Sequence, residues 1–172
     1  MSDETPSAVA DTLGPPIRGD AGAHAGGDIT STGGTPGGRE AEGLAFARQM
    51  WADDEASRAL GMEAVVIETD HAVVRMRVRD DMVNGHAITH GGYVFTLADS
   101  CFALACNSQG RLTVAAGADI AFTAPSRLGD VLVADARVRT AYGRSGLTDV
   151  TVRREADGQV IAEFRGRSRS LT

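Results

Sequence analysis

Lysine is missing altogether: all seventeen basic residues of this 172-residue chain are arginines, which reads as a bias of nucleotide composition. They face 23 acids, for a net charge of −6. A nucleic-acid partner would call for a basic face, and that balance argues against one. Cysteine is scarce, with two in the chain. Cys101 and Cys106 fall on one expected helix, about 140° apart around its axis, so they can neither bridge nor share a metal. They read as reduced, buried thiols of a cytoplasmic protein. No apolar run is long enough to cross a bilayer. The longest, Gly92 to Cys106, is short and carries Asp99 near its middle. Nor does the N-terminus look like a signal peptide, because two acids stand in its first four residues and no apolar core follows.

Residues 1–42 lack aromatic side chains and hold nine glycines, four of the five prolines, and seven acids against two arginines. Such a segment cannot bury enough apolar surface to offset its ordering entropy. It is expected to be a disordered tail, and residues 43–172 a single domain. In that domain Leu44, Ala47 and Trp51, with Phe46 and Met50, form a stripe at helical spacing that should run to a stop at Gly61. Ala64–Glu68 and Val73–Arg79 alternate with period two, joined by a turn at "ETDH". In the second run Val74, Met76 and Val78 oppose three arginines, the mark of a half-buried antiparallel strand. A polar loop, "RDDMVNGHAITHGG", leads into an apolar helix from about Gly92 to Ser108, closed by Gly110.

Four further strands are expected: Val114–Thr123, Val131–Arg139, Leu147–Arg153 and Val160–Ser168. In the last, Val160, Ala162, Phe164, Gly166 and Ser168 should oppose Ile161, Glu163, Arg165, Arg167 and Arg169. A helix apolar on nearly every side must be buried. Its length of about 26 Å matches a strand of about 30 Å. The chain therefore reads as an α+β domain, a curved antiparallel sheet wrapped around one long central helix. This is the hot-dog architecture.

The candidate chemistry centres on Asp99. A carboxylate among Phe95, Phe102 and Ala103 is costly unless it is paired or functional. A structural reading would pair it with Ser100 or Ser108. The second signal is "THGG". The first N–H groups of a helix lack internal partners. Glycine there lets a substrate approach closely. Gly91 or Gly92 could therefore donate to the oxyanion of a reacting carbonyl. Gly91 and Asp99 lie eight residues apart, about 12 Å along a helix, so one chain cannot bring both to one carbonyl. Two antiparallel helices can, which demands a dimer if both act. His71 reads as a solvated turn residue, His86 as structural, and His24 falls in the tail. Arg165, Arg167 and Arg169 share a strand face that is either merely solvated or attracts phosphate.

The stretch "NGHAITHGGYVFTLADSCFALACNSQG" closely resembles the PaaI-type hot-dog acyl-CoA thioesterases of phenylacetate degradation. The likeness extends to "ARQMWADDEASRALGM" and "FRGRSR", covering roughly residues 45–170. It implies hydrolysis of an acyl-CoA, of the aromatic phenylacetyl- or hydroxyphenylacetyl-CoA type, to free acid and coenzyme A. It assigns Asp99 as nucleophile or general base, Gly91 as oxyanion donor, and His90 and Asn84 as placing the carbonyl and the water. Gly92, Ser100, Ser145 and Gly146 fall at substrate-binding positions. No metal and no organic cofactor are implied, and the assembly expected is a tetramer built from dimers, with the site at a subunit interface. The loop "AYGRSGL" matches the family only at Ser145–Gly146. Two rivals stand beside this reading: a hot-dog hydratase or dehydratase acting on enoyl or hydroxyacyl thioesters, and a non-catalytic acyl-CoA-binding module.

Overall fold

A computed structural model describes residues 36–171. Helix α1 (Pro36–Ala52) and the short α2 (Glu55–Ala59) precede strands β1 (Glu63–Glu68) and β2 (His71–Arg77). The long helix α3 (Gly91–Asn107) follows, and then β3 (Thr113–Phe122), β4 (Val131–Tyr142), β5 (Ser145–Arg154) and β6 (Val160–Ser170). All six strands join one sheet in the order β1-β2-β4-β5-β6-β3, and every pairing is antiparallel. α3 lies across the inner face, packed chiefly on β2, β4 and β5. The α+β architecture expected from pattern and length is the one observed. No helix among the described residues is long and apolar enough to cross a membrane.

The core lies between α3 and the sheet. Leu97, Ala98, Cys101, Phe102, Leu104 and Ala105 are buried from the helix; Val74, Met76, Leu132, Ala134, Val150 and Phe164 meet them from the strands. Gly166 allows this close approach. A Cβ there would come within 2.5 Å of the Phe102 ring. Cys101 is buried with its sulfur 3.3 Å from the carbonyl oxygens of Ala72 and Ala134, and burial pushes its thiol up to about 12.

Several boundaries differ from the sequence reading. The first helix begins at Pro36, so residues 36–42 belong to it rather than to a tail, while residues 1–35, with His24, lie outside the described residues. It also does not run on to Gly61. It stops at Ala52, and Asp54 starts α2 by accepting the Ser57 N–H at 3.0 Å. An aspartate offers the backbone a competing acceptor, which makes it a good cap and a poor interior residue. His71 is not a solvated turn residue. It opens β2 between Glu68 and Asp135, at 3.1 and 3.2 Å, with its side chain only 16% exposed.

"AYGRSGL" is no loop: Tyr142 pairs with Ser145 across a two-residue turn whose Gly143 adopts φ 57°. Ile161 is buried together with Ala162, because the β5–β6 register shifts beside Val152 and breaks the alternation.

Candidate active site

α3 begins at the end of the loop that Asn84 organises. The Asn84 side-chain oxygen accepts the His86 N–H at 2.9 Å, and its backbone N–H donates to the Ile88 carbonyl at 2.9 Å. Among the described residues the Asn84 amide nitrogen makes no hydrogen bond, so its two donors are available. His90 is the N-cap, its Nδ1 accepting the Gly92 N–H at 3.0 Å. This settles which glycine offers a donor. Gly92 is occupied by the cap, while the Gly91 N–H has no acceptor among the described residues.

The Phe122 ring lies close over Gly91, so that a Cβ there would come within 2.9 Å of it and the ring would have to shift. Asn84, Ile88, Gly91, Val94, Phe122 and Ile161 line an open groove of roughly 600 Å³. The groove is mostly apolar, and the Gly91 N–H and the Asn84 amide belong to residues that line it.

Asp99 lies two turns further along α3 and is half-buried. Burial alone raises its carboxyl above the usual aspartate value. Neither proposed structural partner reaches it. The Ser100 hydroxyl bonds Ser57 at 2.8 Å, and the Ser108 hydroxyl donates to the Ala105 carbonyl while accepting the Asp70 N–H. Among the described residues Asp99 makes no hydrogen bond or ion pair. It lies on a stripe with Gly92, Phe95, Thr96, Ala103 and Cys106 that the sheet leaves partly open. α3 is thus not buried all round, as its composition suggests, but on the faces the sheet and α1 reach.

One chain brings Asn84 and Gly91 to one groove, turns the His90 ring to a separate cleft with Gly92 and Thr96, and leaves Asp99 about 12 Å from Gly91 along the helix. Ser145 and Gly146 are farther still. With Cys106, Gln109 and Arg111 they line a small cleft at the other end of α3. Of the arginines on β6, Arg165 is bound by Asp149 through two hydrogen bonds and Arg167 pairs with Asp119. Sequence reasoning did not register Phe122, whose ring covers Gly91, or Ser57, the partner of Ser100. Nothing local marks either one.

Residues 86–161 match the family model of the thioesterase superfamily. The acyl-coenzyme A thioesterase PaaI of Escherichia coli is 39% identical over 125 residues, 73% of this chain and 89% of that protein. The solved E. coli PaaI protein, from the phenylacetic acid degradation operon, superposes with a TM-score of 0.74 at 37% identity, over 77% of this chain and 96% of that one. A Streptococcus mutans protein solved bound to acetyl CoA gives a TM-score of 0.62 at 29% identity, over 64% and 88%. An unpaired carboxylate on a central helix wrapped by an antiparallel sheet, a free N–H at that helix's start, and these similarities together show that the chain belongs to the thioesterase superfamily, among its PaaI-type members.

Proposed function

We propose that this protein is an acyl-CoA thioesterase, in the aromatic class that the phenylacetate operon of its relative suggests, and that each active site is shared by two copies of the chain. The observation that carries the proposal is the unpartnered, half-buried Asp99 on the same helix as an unused Gly91 N–H, too far apart to act within one chain. Asp99 serves as general base. It takes a proton from water, the water oxygen bonds the thioester carbon, and the developing oxyanion rests on the Gly91 N–H. The tetrahedral species then expels the coenzyme A sulfur, which recovers the proton from Asp99. The products are carboxylic acid and thiol. Asn84 donates to the carbonyl or to the water. His90 acts by holding Gly92, so that Gly91 alone is offered.

The dimer is supported by surfaces that a single chain leaves open. β3 ends the sheet with an unpaired edge and carries Val114, 41% exposed, and Phe122, 55% exposed. A long apolar edge invites another strand. Pairing β3 of two copies antiparallel would lay the open stripes of the two α3 helices side by side. Asp99 of one copy would then approach Gly91 of the other, and the Ser145–Gly146 cleft would approach the second groove. Two such dimers would make the tetramer, and the free cysteines suit a reducing compartment such as the cytoplasm.

The test is Asp99→Asn, which preserves size and removes basicity. A loss of at least about a hundredfold in kcat, some 2.7 kcal/mol of barrier, is expected with the fold intact. A smaller loss would remove Asp99 from the centre of the chemistry. Release of free coenzyme A from an acyl-CoA panel separates hydrolysis from hydration of the acyl chain. A single turnover in heavy-oxygen water checks the base role. Label on the Asp99 carboxylate would mean that Asp99 is the nucleophile instead.

A further inference from the structure

Ser57 is 1% exposed and sits in a chain of three hydrogen-bonding side chains. Its hydroxyl donates to Asp54 Oδ2 at 2.6 Å, and its oxygen lies 2.8 Å from Ser100 Oγ. The same Asp54 carboxylate caps α2 through its other oxygen. The direction of the chain is fixed by chemistry. An ionised carboxylate has only lone pairs to offer, so the Ser57 proton must point at Asp54. The Ser57 oxygen then faces Ser100 with lone pairs, and the Ser100 proton must point at Ser57. Ser100 is therefore left with acceptor capacity only. Its neighbour along α3 is Asp99, a second acceptor with no partner among the described residues.

We propose that Asp54 and Ser57 are positioning residues of the hydrolytic reaction: they commit the Ser100 proton, so that Ser100 accepts one hydrogen of the attacking water while Asp99 accepts the other. Adjacent side chains on a helix diverge too far to bond each other directly. The proposed link between them is therefore a bridging water rather than a direct bond. With both hydrogens held, the water presents a lone pair to the thioester carbon. The hydrogen on Asp99 leaves as the carbon–oxygen bond forms; the one on Ser100 stays with the new carboxylic acid. If Ser57 did not hold the Ser100 proton, Ser100 could donate to the water instead and occupy the lone pair that must attack. This inference rests on the thioesterase reading.

The experiment compares steady-state hydrolysis of one acyl-CoA by the full chain and by Ser57→Ala, Ser100→Ala, the double variant and Ser100→Thr, with melting temperatures alongside. Each alanine variant is expected to lose about tenfold in kcat, the worth of one well-placed hydrogen bond, with KM within about twofold. Because both act through one water, the double variant should be no slower than the worse single. Ser100→Thr keeps the hydroxyl and should recover most of the rate. Alanine variants within about twofold of wild type, singles whose losses multiply, or a loss confined to KM would each overturn the proposal. So would a fall in rate that only follows a fall in melting temperature. If the wild-type protein releases no coenzyme A from any acyl-CoA, the thioesterase reading itself fails and takes this inference with it. An active wild type with indifferent variants defeats the inference alone.

Discussion

Asp99 is costly to the fold and useful to the reaction for one reason, its removal from water without a partner. Its folded-state carboxyl titrates above the ordinary value of about 3.9. The base form exists only above that raised point, so kcat/KM should fall on the acid side along a limb lying above the usual carboxylate range. A pH–rate profile checks it, and a limb at or below the ordinary value would contradict the burial. The linkage has the matching sign. A carboxyl raised in the folded state binds its proton more tightly there than when unfolded. Its contribution to stability is therefore lost as pH rises from the unfolded value through the folded one. Asp99→Asn removes that penalty, so the dead variant should melt at or above the wild-type temperature at neutral pH. His90 is a residue of a different kind, acting through the backbone. Asparagine is also a strong N-cap, whereas alanine is not. His90→Asn should keep substantially more activity than His90→Ala, and equal losses would mean that the imidazole touches the substrate itself.

Elements meet here through glycine and small residues, and two positions expose how tightly. Gly166→Ala would drive a methyl into the Phe102 ring, at the contact where α3 seats on β6. Overpacking of this kind costs about 1–3 kcal/mol, which denaturant unfolding would measure. Thr148 is the converse case. Its hydroxyl, on the inner side of β5, is fully buried and has no hydrogen-bond partner among the described residues. Thr148→Val keeps the shape and removes the unsatisfied group, and should stabilise the domain by about 1 kcal/mol. A destabilised valine variant would show that the hydroxyl has a partner in solution.

At the scale of the whole molecule, the proposed shared site makes two copies of the chain necessary for one complete set of catalytic groups. Asp99→Ala, and Asn84→Ala if that variant alone proves inactive, test it when mixed and allowed to exchange. A hybrid dimer has two sites related by its two-fold axis, one collecting both substitutions and the other neither. Random mixing makes about half the dimers hybrids, so about a quarter of all sites should be intact. Activity should rise from near zero toward that fraction. Exchange proved by mass spectrometry without any recovery would mean that each chain carries its own site.

Local pattern was enough for much of this protein. Two-residue alternation and 3.6-residue periodicity are properties of neighbouring residues, so β2, β4, most of β6 and the central helix were legible before any coordinates. Asp99 stood out because an acid in an apolar helix contradicts its surroundings, and "THGG" because glycines at a helix start expose the backbone. What the sequence could not disclose is which donors and acceptors remain free. The Gly91 N–H is singled out because the His90 ring turns back onto Gly92. The Ser100 hydroxyl is bonded to a serine 43 residues earlier. His71 lies against Asp135, 64 residues away, because β2 and β4 are sheet neighbours. Ser145 and Gly146 open β5 at the β4–β5 turn and line a cleft with Cys106, Gln109 and Arg111, at the opposite end of α3 from Gly91. Each of these is a choice among partners brought close only by the packing of distant segments. Hydrogen bonds saturate, so tertiary structure decides which group is used up and which is left for chemistry.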